Sequence, residues 1–290
     1  MPAYWINRNS APNSSKPAAE RFYYNDMKTN HVKAKLKRGE ASIGTWLSLP
    51  DPTTAMLMAN VGFDWLNLNI EHMPIGVETA SLCYSAIAGT NTVPLARPAW
   101  NTGENIKRVL DNGGWGVILP MICSKSDAEL AVDSTFYAPV GSRSVGGMLH
   151  AVSYQTDPAT YYERANEEVL LVLQLEHVKA IENADEILSV PGVDAFFIGP
   201  NDLLKSMGET PGWDSDKQEF IDALKHLQEV GKKYGVASGI HVPDVASAIR
   251  RREEGFQFIA VASEAGMMLS KAQEMAKALG CGKEKEVAKY

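Results

Sequence analysis

The stretch 171-LVLQLEHV-178 carries the first clue to the fold. Its apolar run reads as a strand buried on both faces, as in a parallel sheet. Yet it runs out into Gln174 and Glu176. An unpaired buried carboxylate costs several kcal/mol, so something must hold Glu176 in place. A second run, 195-AFFIGPNDLL-204, repeats the pattern and carries Asp202 two residues beyond a Gly-Pro turn.

Working outward, six more runs resemble these two. They are IGTWLSL (43–49), FDWLNLNI (63–70), TVPLARP (92–98), WGVILPMI (115–122), VASGIHV (236–242) and FQFIAVAS (256–263). With LLVLQLE (170–176) and DAFFIGP (194–200) they make eight strand candidates. Amphipathic segments such as ENIKRVLDNGG and KQEFIDALKHLQEVGKKYG lie between them, and several end in glycine, a usual helix stop. Eight strands alternating with helices predict an α/β protein, a (β/α)8 TIM barrel. The competing architecture is a doubly wound open sheet. No glycine-rich dinucleotide fingerprint follows the first strand, which disfavours it.

This reading divides the chain into an N-terminal arm (1–28), a single barrel (29–280) and a short tail (281–290). The arm is rich in Asn, Ser, Pro and Ala, with Tyr4, Trp5, Phe22 and Tyr23 available to dock on a neighbouring surface. HVKAKLKRGE reads as a helix stopped at Gly39. One long interruption, from Ser134 to about Glu168, contains YAPVGSRSVGGMLHA and reads as an ordered loop over the barrel mouth.

Composition narrows the function. The formal charge is −7 over 290 residues, without a dense Lys/Arg cluster. Nucleic acid and anionic membranes are therefore poor partners, whereas a small anion held by one or two local arginines is not excluded. Cys83, Cys123 and Cys281 form no paired or zinc-binding spacing and read as reduced structural residues. No apolar stretch approaches a membrane span and no secretory core is present, so a cytoplasmic location is the expectation.

In such a barrel the active site lies at the C-terminal strand ends. Asn69, Glu71 and His72 end the second strand, Arg97 the third, and Gln174 and Glu176 the fifth; Asp202 follows the sixth. Glu176 and Asp202 offer hard oxygen ligands suited to Mg²⁺ or Mn²⁺ and leave positions open for substrate. Arg97 could stabilise an enolate oxygen or a 2-oxo acid carboxylate, and His72 could move a proton. Each residue has a plainer reading. Asp202 could cap a helix, Glu176 pair with a lysine, Arg97 make a surface ion pair, and His72 be structural. Only the set argues for chemistry. His241 could line the rim, His177 should point away, and His31, His150 and His226 have no obvious partners.

The motifs GTWLSLPDP, GFDWLNLNIEHMP, ARPAWN, IKRVLDNGGWGVILPM, YAPVGSRSVGG, QLEHVKAIEN and VDAFFIGPNDL resemble those of the HpcH/HpaI aldolase/citrate lyase family from about Gly44 to Leu279. The closer likeness is to its metal-dependent class II pyruvate aldolases, with macrophomate synthase as a relative. The resemblance implies a barrel of the phosphoenolpyruvate/pyruvate superfamily, whose last helix is often exchanged between subunits. It implies Glu176 and Asp202 as metal ligands for Mg²⁺ or Mn²⁺, with Co²⁺ as a third candidate. Gln174 would lie beside the 2-oxo acid, and Arg97 would steady the enolate. His72 and Asp111 would form a proton-transfer pair. Trp46 and the backbone at Pro200, Asn201 and Asp202 would shape the pocket.

The implied reaction is aldol cleavage or formation of 4-hydroxy-2-oxo acids through a metal-bound pyruvate enolate, with an aldehyde as acceptor. Oxaloacetate decarboxylation, or a macrophomate synthase-like reaction, would use the same enolate. A non-catalytic 2-oxo acid binding protein is the alternative from another class. Homo-oligomers, trimers or hexamers, are also implied. The chain departs from the family pattern at Asn69, where an aspartate is common, at QLEH for QIET, at GPNDLL for GPADLS, and at GSRSVGG for GxRGxG.

Overall fold

The computed structural model describes residues 27–281, so the arm's aromatic residues and most of the tail lie outside the described residues. The strands are β1 (Ser42–Leu47), β2 (Trp65–Asn69), β3 (Val93–Arg97), β4 (Gly116–Leu119), β5 (Leu170–Gln174), β6 (Ala195–Ile198), β7 (Ala237–Val242) and β8 (Phe258–Ser263). Each falls inside, or within one residue of, its expected run. All pair in parallel with their sequence neighbours, and β8 closes on β1. Closure rules out the open sheet.

Helices cover the outside. In order they are α1 (His31–Lys37), α2 (Pro52–Ala59), α3 (Val77–Ile87), α4 (Gly103–Asp111), α5 (Lys125–Thr135), α6 (Leu149–Ser153) and α7 (Pro158–Glu168). Then come α8 (Val178–Glu182), α9 (Ala184–Leu188), α10 (Pro200–Ser206), α11 (Gln218–Tyr234), α12 (Val245–Glu253) and α13 (Glu264–Ala278). Their starts follow from local chemistry. Asp51, Thr102, Ser124, Asp244 and Ser263 each accept a hydrogen bond from a backbone N–H of the first turn. His177, expected to face away, does the same for α8 through Nδ1. Gly39 takes φ +76° after α1, as a glycine stop should.

The barrel interior is filled by large rings. Trp65 and Phe258 stack at 4.2 Å between centroids, both fully buried. Gly44 makes that possible, because a Cβ there would collide with the Trp65 indole. Above this layer the inward side chains turn polar, which is where the site begins.

Three expectations need correction. The 134–168 segment does not cover the mouth. Ser153 Oγ donates to the Gly113 carbonyl and accepts from the Trp115 indole, Trp115 stacks on Tyr154, and Asn30 joins the Trp115 and Glu168 carbonyls. Gly113, Trp115 and Glu168 sit at the starts of β4 and β5, so the segment seals the barrel floor. The connection is long because it carries α6 and α7, not because it forms a lid. Second, Met27 and Lys28 belong to the packed body rather than to the arm. Met27 is buried, and Lys28 bonds to the carbonyls of Tyr154, Ala88 and Thr90. Third, His150 has partners after all. It is buried against Tyr161 and Tyr162.

The last helix stands apart. In α13 only Glu264 is buried, while Met268, Leu269 and Met275 are exposed. Glu264 anchors it, accepting from the N–H groups of Ser48 and Leu49 at 2.6 Å. No helix among the described residues is long and apolar enough to cross a membrane.

Candidate active site

The centre of the mouth is Arg97, the last residue of β3, 7% exposed. Its plainer reading as a surface ion pair fails on that burial. The guanidinium lies over the Trp46 ring, 4.3 Å from its centroid. Nη2 donates to Asn69 Oδ1 at 2.9 Å and Nη1 to Gln174 Oε1 at 3.4 Å. Nε stands 2.8 Å from Glu71 Oε2, but neither atom has an aligned hydrogen-bond partner. The arginine is thus oriented but not saturated, as a group reserved for a ligand should be.

Glu176 sits just beyond β5 and is 2% exposed. Among the described residues no lysine pairs with it. Its Oε1 accepts from the Met121 N–H at 3.2 Å, and its Oε2 accepts from the Gln174 amide. Met121 adopts φ 55°, uncommon outside glycine, and thereby turns its N–H to the carboxylate. Burial pushes the Glu176 carboxyl up to about 7, with Asp202 adding to the rise and Arg97 opposing it. Glu71 is also pushed up, first by burial; Arg97 and then His72 oppose the shift, and Asp202 adds to it.

Asp202 is exposed and lies in the first turn of α10. It is not the cap. That position belongs to Gly199, which offers no side chain, and Pro200 follows at the first helical position. The three carboxylates Glu71, Glu176 and Asp202 all act on the one guanidinium of Arg97. Such an excess of negative charge, partly buried, suits a cation. The donor set fits a hard divalent ion: Glu176 and Asp202 oxygens, with Gly199 leaving space beside Glu176 Oε2 that a Cβ would fill. Among the described residues no group of three His, Cys, Asp or Glu side chains forms a metal cluster, so protein ligands alone would leave positions open.

The other expected residues divide. Trp46, Gln174, Pro200 and Asn201 are at the mouth; Pro200 is buried and Asn201 half-buried at the start of α10. His72 is there too, well exposed, with Nε2 3.4 Å from Glu71 Oε2 and its backbone N–H donating to Asn69 Oδ1 at 3.3 Å. Asp111 is not brought to His72. It ends α4, the helix that runs from mouth to floor, and accepts from Arg143 at 2.6 Å. A helix antiparallel to its strand carries its last residue to the opposite rim, so the His72–Asp111 pair does not form within one chain.

Two contributors escaped assignment. Glu71 stood at a strand end in the sequence, but nothing there showed that it would touch both Arg97 and His72. The Met121 N–H left no trace, because its role depends on a backbone angle. The cysteines play no part: all three are free, with Cys83 buried, Cys123 half-buried and Cys281 exposed.

A closed parallel barrel with an arginine and several carboxylates at its C-terminal rim has the architecture of an α/β-barrel enzyme. Residues 42–271 match the HpcH/HpaI aldolase/citrate lyase family, and the chain belongs to that family. It is 36% identical over 253 residues to a hydroxypyruvate/pyruvate aldolase of Pseudomonas aeruginosa, covering 87% of this chain and 93% of that protein. Identity to the 5-keto-4-deoxy-D-glucarate aldolase of Escherichia coli K12 is 33% over 252 residues, covering 87% and 97%. The crystal structure of a family protein from Burkholderia cenocepacia J2315 superposes with a TM-score of 0.80 at 30% identity, covering 87% and 100%. Macrophomate synthase, at 17% identity and a TM-score of 0.72 over 91% and 99%, shares the fold. The chain is a homologue of pyruvate-dependent class II aldolases.

Proposed function

We propose that this enzyme forms and cleaves 4-hydroxy-2-oxo acids through the enolate of pyruvate, with a divalent cation, Mg²⁺ or Mn²⁺, held by Glu176 and Asp202. The observation that supports it most is Arg97: buried, positioned by Asn69, Gln174 and Trp46, and with donor capacity that these partners do not use up. When bound, the cation would supply Lewis-acid charge to the reacting oxygens.

The chain's own residues account for the rest. Arg97 binds and stabilises the developing enolate oxygen with a fixed positive charge that needs no reorganisation. Gln174, pinned to Glu176 by its amide nitrogen, keeps its oxygen toward Arg97 and fixes the guanidinium's direction. Trp46 closes the wall behind it and keeps water from that face. His72, exposed beside Glu71, moves protons between the mouth and solvent. In Asn69 the chain holds a neutral acceptor where an acid would compete with Glu71 for Arg97.

Asp111 can assist His72 only from a second copy of the chain, because its own copy lies at the floor. The exposed apolar residues of α13, Met268, Leu269 and Met275, support a homo-oligomer, a trimer or hexamer, in which a second copy covers them.

The test is deuterium exchange into the methyl group of pyruvate with Mg²⁺ or Mn²⁺, with EDTA, and in Glu176→Ala. Exchange that needs both cation and Glu176 supports the reading. Absence of exchange in every condition, with CO₂ released from oxaloacetate, would assign the enolate to a decarboxylase instead.

A further inference from the structure

One polar group in the mouth has no part in the enolate chemistry. His241, on β7, is enclosed by aromatic rings. Trp46 lies 5.4 Å away between centroids, Trp213 meets it edge-on at 4.7 Å and 85°, and Phe197 stands at 6.3 Å. Arg97 packs on the same Trp46 ring, so His241 and the proposed enolate site share a wall.

The tautomer of His241 is set by the fold. Nε2 lies 2.9 Å from the carbonyl oxygen of Ala262. A carbonyl can only accept, so Nε2 carries the hydrogen and Nδ1 keeps a bare lone pair. Ala262 has φ 50°, an uncommon angle for a residue with a side chain, and the β1–β8 register shifts between Gly44 and Trp46 beside it. This irregularity turns the Ala262 carbonyl toward the histidine, as bulges near active sites commonly re-aim a group. Burial holds the imidazole neutral, down at about 4; the Ala262 bond opposes the shift and the charge on Arg97 adds to it. Nδ1 has no partner among the described residues, and His241 stays partly open to solvent.

We infer that His241 is a specificity-determining residue whose Nδ1 accepts a hydrogen bond from a substrate hydroxyl. This selects hydroxylated substrates over their deoxy and carboxylated counterparts. A deoxy substrate would cover the lone pair and leave it unsatisfied, and sites built to pair a hydroxyl reject analogues that lack it. A carboxylate cannot pair with Nδ1 either, since its oxygens only accept and would face the lone pair. The hydroxyl has two possible sources with the same chemistry. It is on C3 of the 2-oxo acid, as in hydroxypyruvate, or on the carbon next to the aldehyde, as in glycolaldehyde.

This inference rests on the enolate reading, so each measurement includes pyruvate methyl exchange as a control. In the full-length enzyme with Mg²⁺, kcat/KM is measured for pyruvate with glycolaldehyde, acetaldehyde and glyoxylate. A second series sets hydroxypyruvate against pyruvate with one common aldehyde. The wild type should favour the hydroxyl at least tenfold in one series, and that series identifies its source. His241→Leu should lower kcat/KM for the hydroxylated substrate by about ten- to a hundredfold and leave the deoxy substrate nearly unchanged. His241→Asn, whose amide oxygen can stand in for Nδ1, should keep most of the preference. The inference is overturned if the wild type shows no hydroxyl preference in either series, or if the preference survives His241→Leu. Should the leucine variant fail to fold, the wild-type ratios and His241→Asn decide by the same criteria. Loss of methyl exchange in the wild type would instead overturn the aldolase reading on which this inference rests.

Discussion

The two ends of this barrel use the same residue types to opposite effect. At the floor, charges come in closed sets. Arg143 pairs with Asp111 at 2.6 Å, and Lys33 pairs with Asp194 at 3.0 Å while also bonding the Val169 carbonyl. Glu168 accepts from the Asn30 N–H and from Arg164. At the mouth, three carboxylates surround one arginine, and Glu176 is held up at about 7 chiefly by its burial. A paired charge in a low-dielectric site holds the structure together. An unbalanced set costs stability and is retained where a ligand will complete it. Charge balance, more than burial or residue type, separates scaffold from site here.

The sharpest way to break this contrast is to remove one acid from each end. Glu176→Gln should abolish pyruvate methyl exchange by about a thousandfold or more, since it takes away a group acting directly on the reacting centre. Its melting temperature should hold or rise, because a buried, poorly compensated carboxylate is gone. Scanning calorimetry beside the exchange assay checks both, and a large fall in melting temperature would contradict the contrast.

Arg143→Ala is the mirror experiment at the floor. It leaves Asp111 without its partner and should cost roughly 3–5 kcal/mol of stability, read by urea unfolding. Exchange per folded molecule should change far less than in the Glu176 variant, unless a second copy draws Asp111 into the site.

A third probe leaves every charge in place. Gly199→Ala puts a methyl group against Glu176 Oε2 and the Gln174 amide. Activity should fall by about a hundredfold, the scale expected when reacting groups are displaced by an ångström. Stability should fall as well, by roughly 1–3 kcal/mol, because the methyl group must displace two buried side chains although the extended backbone itself suits alanine.

The pH dependence of stability probes one histidine at each end. His150 is lowered to about 4, first by burial and then by Arg143, with Asp111 opposing. His241 is also near 4. Because the unfolded histidines, with pKa near 6.5, take up protons first, this stability is complete above about pH 6.5. It is lost progressively as pH falls toward 4. Urea midpoints at pH 7.5 and 4.5 should differ accordingly, and His150→Phe should flatten the difference if His150 carries its share.

The smallest effect is expected at a helix cap. Thr102→Ala removes the hydroxyl that accepts from the Asn105 N–H at the start of α4. About 1 kcal/mol should be lost, with exchange unchanged.

Much of this was legible in the chain. The run 171-LVLQLEHV-178 announced both a buried strand and an acid at its end, and Arg97 and Asp202 followed from the same rule. Other features were hidden for definite reasons. The 134–168 segment reads as a mouth loop because its glycines and arginine suit a binding loop. Only packing on Trp115 and Gly113 puts it at the floor. Asp111 matches a family position, but a helix reverses direction between strand and strand, and one chain cannot bring it to His72. Glu71 was visible yet without a role, since its importance lies in touching Arg97 and His72 together.

The sequence by itself determined the eightfold alternation, the rim on which the polar residues gather, and the family. These depend on local period and on short motifs, which a chain carries residue by residue. The tertiary structure decided which charges are balanced, which backbone angles aim Met121 and Ala262, and which end of the barrel each long connection closes. Those depend on distances between residues far apart in the chain, and no local pattern encodes them.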